Sequence, residues 1–134
     1  MKLKLKSNRV TFLSFVDISS LEGAQEVKDF SMSVEPVFTS DHSSFVILFN
    51  LQLNVHEEKV LFIEYESCFE CADVEDFEEF SKSHFPQVNA PAIAFPFLRS
   101  FIGTMLLNAG YEPIFLPSIN FSAMFAESEK ADNE

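Results

Sequence analysis

A chain of 134 residues with 47% hydrophobic side chains fits one compact domain, yet it cannot hide all of its apolar surface, so some is left for a partner. A formal net charge of −12 argues against binding a nucleic-acid backbone, which needs clustered Lys and Arg, and suits a basic partner instead. With 17 Phe, no Trp and only three Gly, the chain is neither disordered nor built on glycine loops.

The opening "MKLKLKSNRVTFLSFV" has a basic start and an apolar run. That run, Val10 to Val16, is short for a signal peptide, carries hydroxyl residues, and leads into Asp17 without a small-x-small cleavage site. Lys2, Lys4 and Lys6 alternating with Leu3 and Leu5 read as the start of a strand instead. "RVTFLSFVDIS" and "SMSVEPVFTS" read as strands, the second carrying Pro36, which removes a ladder donor and favours an edge or a bulge. Phe45 to Val55 alternates most clearly, with Phe45, Ile47, Phe49, Leu51, Leu53 and Val55 on one face. "HEEK", His56 to Lys59, is the expected hairpin turn, and "VLFIEYESCF" the returning strand, with Leu61, Ile63, Tyr65 and Phe69 on one face. Four strands on short connections predict an antiparallel meander. Several are apolar on both faces over part of their length, so the face without helices asks for another subunit.

"CFEC", Cys68 to Cys71, lies near a strand end, where reduced, partly buried thiols are expected rather than redox or metal chemistry. "ADVEDFEEFSKSHF" places Val74, Phe77 and Phe80 at helical spacing among acids, which reads as a solvated amphipathic helix. Pro86 and Pro91 are expected to bound a linker. A helix from near Ala92 gathers Phe95, Leu98, Phe101, Ile102, Met105 and Leu106 within an arc of about 140°, leaving Phe97 and Leu107 on the other side. Pro96 falls early enough to be tolerated or to bend it modestly, and Gly110 is placed to end it. "YEPIFLPS" is then an extended loop held by Pro113 and Pro117, and Asn120 caps a short final helix. The expected division is one domain over 1–126 and a disordered acidic tail over 127–134. A transmembrane helix is not expected, since no stretch of 18 residues lacks charge, and the cytoplasm is the default compartment.

The order of elements, with Ala90-Pro91, Phe95-Pro96-Phe97, Arg99, Gly110, Pro113, Leu116 and "INFSAMF" at Ile119 to Phe125, resembles the SecB family of protein-export chaperones. "VDIS" at Val16 to Ser19, "KDF" at Lys28 to Phe30 and "LFIE" at Leu61 to Glu64 fall in the family's order and spacing. Departures are visible too. The chain has Phe95-Pro96-Phe97-Leu98-Arg99-Ser100 where the family usually has Phe-Pro-Tyr-Ala-Arg-Glu, and "ESCFEC" replaces a glycine pair. The resemblance implies an α+β subunit, a four-stranded antiparallel sheet with a long and a short C-terminal helix on one face, assembling as a dimer of dimers.

It also implies an ATP-independent holdase that binds unfolded preproteins in apolar grooves and hands them to the SecA motor, whose basic tail meets an acidic sheet face. Phe30, Phe97, Phe115, Leu116 and Phe125 are the expected client contacts. Asp17 and Glu64 match acids of the SecA-binding face, whereas a further family acid falls at Leu21. A second expectation keeps the fold and makes the protein a dedicated adaptor for one partner, such as an antitoxin, with no link to secretion. No Gly-rich phosphate loop, metal-spaced cluster, Ser-His-Asp or Cys-His arrangement is legible, so neither an enzyme nor a cofactor or metal site is expected.

Overall fold

The period-two segments pair into one antiparallel sheet of β1 (Lys2–Asp17), β2 (Phe30–Phe38), β3 (Ser44–Val55) and β4 (Lys59–Ala72). This computed structural model describes residues 2–22, 27–72 and 74–132. Strand order is β1-β4-β3-β2, which corrects the expected meander. β2, β3 and β4 do follow one another as neighbours, but β1 sits at the far edge beside β4. β1 and β2 thus lie at opposite edges of the sheet, the strand order of a Greek key. Alternation specifies which residues share a face; it does not specify neighbours.

Along β3, Phe45, Ile47, Phe49, Leu51, Leu53 and Val55 all point toward the helices and are buried. They stand opposite Phe69, Ser67, Tyr65, Ile63, Leu61 and Lys59 of β4. β1 shows how sequence phase is corrected by geometry. Leu3 and Leu5 differ in parity from Asn8 and Val10, so a regular strand would place the two sets on opposite faces. Register shifts between Leu5 and Ser7 and between Val10 and Phe12 change the phase twice, bringing Leu3, Leu5, Val10 and Phe15 onto the core. Ser67 is the one buried polar residue among the described positions, and its hydroxyl donates to Asn8 Oδ1 at 2.7 Å.

α1 (Phe77–Ser81) starts at Asp76, whose carboxylate accepts from the Glu79 amide at 3.2 Å. A π-helical turn, Phe85–Asn89, leads directly into α2 (Ala90–Asn108). The expected linker between Pro86 and Pro91 is thus helical. Each proline falls in the first turn of its helical segment, Pro86 in the π turn and Pro91 in α2. Helical structure from Phe77 to Asn108 is long and apolar enough to cross a membrane by length and composition. Here Leu98, Ile102 and Leu106 are fully buried on the sheet, the packing of a core helix. Gly110, at φ 94°, ends α2: its N–H donates to the Leu107 carbonyl at 3.2 Å, and the Tyr111 N–H to that of Leu106 at 2.9 Å.

The following loop is pinned at its start. Tyr111 meets Phe15 edge-on with centroids 5.3 Å apart, and His56 Nε2 donates to the Glu112 carbonyl at 2.9 Å. Asn120 then caps α3 (Phe121–Asp132), its side-chain oxygen accepting from the Ala123 amide at 3.0 Å. α3 runs through most of the segment expected to be a disordered tail. Glu127, Glu129 and Lys130 are good helix formers, and Lys130 lies in the last turn, where the helix dipole favours a cation.

Candidate functional site

β2 is an edge strand, one of the two settings expected from Pro36, and its hydrogen bonding explains the proline's position. The Asn54 amide donates to the Asp29 carbonyl, and the Thr39 amide to the Ser44 carbonyl, both at 3.0 Å. In an unshifted antiparallel register these pairs commit the odd-numbered residues of β2 to β3. The N–H and C=O groups of Phe30, Met32 and Val34 therefore face the free edge. Pro36 belongs to that outward set, so its missing N–H costs no ladder bond.

The side chains of Phe30, Met32, Val34 and Phe38 lie on the helix side of the sheet and pack against the core. Across from them, α3 is held by Phe121, buried and edge-on to Phe95 with centroids 5.9 Å apart. Between β2 and α3 runs a groove of about 260 Å³, lined by Met32, Ser33, Val34, Gln87, Phe121, Met124, Phe125 and Ser128. His84 packs edge-on against Phe125, with ring centroids 5.2 Å apart. Thioether and aromatic side chains around an open edge strand form a surface that takes apolar groups of varied shape.

Of the expected client contacts, Phe125 lines this groove and Phe30 continues its β2 row. Leu116 is half-buried against the core, whereas Phe115 beside it is 99% exposed. Phe97 lies elsewhere: it is half-exposed on the outer side of α2 with Ile93 and Leu107. Met32, Val34, Gln87 and Met124 were not singled out from sequence. The alternation "FSMSV" was the available signal for Met32 and Val34, and helical spacing from Phe121 for Met124.

Asp17 and Glu64 are not brought together on one face. Lys59 shares the helix side with Leu61, and its partner Asp17 meets its ammonium at 3.0 Å. That hydrogen bond with Asp17 raises the Lys59 pKa. Asp17 borders a depression of about 520 Å³ shared with Glu57, Glu58 and Tyr111. Glu64 points to the opposite, helix-free face, between Phe12 and Asn50 of the adjoining strands. On that face Glu66 pairs with Arg9 at 3.0 Å and Glu70 with Lys6 at 3.3 Å. Glu64 has no ion pair among the described residues.

Both thiols are free and half-buried near the end of β4, and their odd separation places them on opposite faces. Burial raises the Cys71 pKa, which keeps it a thiol. No group of three or more metal-ligating side chains occurs among the described residues.

A four-stranded sheet backed by a long and a short helix is the fold of SecB-like chaperones. A SecB-like chaperone from Mycobacterium tuberculosis, solved with a ChAD peptide from the HigA1 antitoxin, matches 87% of this chain and 90% of its own with a TM-score of 0.59 at 16% identity. The family model described as preprotein translocase subunit SecB matches residues 19–132, and the chain belongs to the SecB family. The protein-export protein SecB of Anaplasma phagocytophilum is 32% identical over 99 residues, which cover 66% of this chain and 63% of that protein. The SecB of Anaplasma marginale is 27% identical over 98% of this chain and 85% of its own length.

Proposed function

We propose that this protein is an ATP-independent holdase that keeps unfolded preproteins export-competent, holding them in the β2–α3 groove. The carrying observation is the groove itself, where Met32, Val34, Met124 and Phe125 meet beside an edge strand. Unfolded chains expose apolar side chains at irregular spacing, and non-directional burial against flexible or aromatic groups accommodates many of them. The expected compartment is the cytoplasm. At stoichiometric concentration the protein should suppress light scattering by an aggregating unfolded client. Val34→Asp should weaken that suppression at least about tenfold, because burying an unpaired carboxylate is costly. Full suppression by a folded Val34→Asp protein would refute the groove assignment.

Delivery to SecA is the corresponding partner reading, supported by Glu64, which is exposed and without an ion pair among the described residues. A basic SecA tail peptide should bind with micromolar or tighter affinity, and Glu64→Gln should weaken it. Asp17→Asn should act less, since Asp17 is already engaged by Lys59. The adaptor reading is favoured by the antitoxin peptide carried by the mycobacterial neighbour and by Leu21 at the position of a family acid. Absence of tail-peptide binding together with tight binding of one antitoxin segment would select it.

A further inference from the structure

Resting on the groove reading above, we infer that Gln87 anchors the backbone of what the groove holds: its side-chain carbonyl takes a hydrogen bond from a backbone N–H of an extended client segment. Gln87 belongs to the π-helical turn before α2 and lines the groove with Met32, Val34, Met124 and Phe125. Its Nε2 donates to the Ser81 carbonyl at 3.0 Å. A carbonyl only accepts, so this bond fixes the amide orientation: nitrogen toward Ser81, Oε1 away from it. Oε1 accepts no hydrogen bond among the described residues and is not buried, so this groove-lining side chain keeps an accessible free acceptor.

An extended segment entering an apolar groove loses water from its own backbone N–H groups. Unless an acceptor replaces that water, the loss opposes the gain from burying the side chains. A held glutamine carbonyl is suited to this task because every residue except proline carries the N–H it needs. Affinity is gained without selecting among side chains. The occupant is an extended segment with apolar residues at alternate positions and Lys or Arg flanking them. The charge match is with the chain's net −12 and with Glu127, exposed on α3 beside the groove-lining Ser128.

The test uses the full chain and a fluorescent, unstructured peptide of that pattern, with a series carrying one backbone N-methyl each, read by anisotropy. For wild-type protein one methyl position should weaken binding about three- to tenfold. In Gln87→Met the parent peptide should bind more weakly by a similar factor, and that methyl should no longer matter. Gln87→Glu loses the donor to Ser81 but keeps acceptors, so it should retain the methyl sensitivity; a role limited to tethering Ser81 predicts that it would not. An equal methyl penalty in wild type and Gln87→Met overturns the inference while leaving the groove intact. If wild type binds none of the peptides, the groove reading itself falls.

Discussion

Asp41 sits in the β2–β3 turn as the acceptor for the Ser43 amide at 3.1 Å, the Thr39 hydroxyl at 2.8 Å and the Ser43 hydroxyl at 2.8 Å. These bonds, the Ser43 amide foremost, lower its pKa from 3.8 to about 2. A carboxyl depressed in the folded state contributes stability that is complete above its unfolded value near 4 and is lost as pH falls toward about 2. The carboxyl carbon of Asp41 should accordingly titrate near 2, and a midpoint near 4 would show that the turn bonds do not hold in solution. The turn matters beyond itself. His42, at φ 60°, stacks on Phe77 with centroids 3.5 Å apart and so fastens the hairpin tip to α1. Single residues of this kind were poorly legible from sequence. Nothing in "TSDHSS" marks His42 for left-handed backbone, and nothing in "FPQVN" marks Gln87 as a lining residue of the groove.

At the scale of elements, α3 is the groove's roof, and its cap decides how firmly it stays there. Asn120→Ala removes the acceptor for the Ala123 amide and should destabilise the protein by about 1 kcal/mol in urea unfolding, with Asn120→Ser near wild type. Client affinity should fall in parallel; unchanged affinity would show that α3 does not cover the bound segment. The elements themselves were largely readable. β3 follows a strict period-two pattern and β4 does so from Leu61 on, and the expected arc of α2 contains Phe95, Leu98, Ile102 and Leu106, all of which are buried. Pro86 and Pro91 misled because a proline marks a helix start as readily as a linker, and local sequence does not separate the two. The bulges of β1 were illegible for a different reason: a phase change is visible only once the core face is known.

For the molecule as a whole, the outer side of α2 carries Ile93, Phe97 and Leu107, each 44–63% exposed. We propose this face as the contact through which subunits assemble as a dimer of dimers. Light scattering should then give a mass near four times 15.2 kDa, and Ile93→Asp with Phe97→Asp should reduce it at micromolar concentration. A wild-type monomer would remove the assembly reading and return Phe97 to the list of possible client contacts. Strand order was the global feature the sequence could not supply, and it has a bearing on how the chain is made. Lys2 pairs with Ala72 and Asp17 with Lys59, so β1 leaves the ribosome well before its partner exists. At synthesis rates of about 5–20 residues per second, that interval is on the order of several seconds. During it Leu3, Leu5, Val10 and Phe15 have no strand to cover them. A nascent chain of this fold is thus, for a short time, itself in need of the protection that its finished groove is proposed to give.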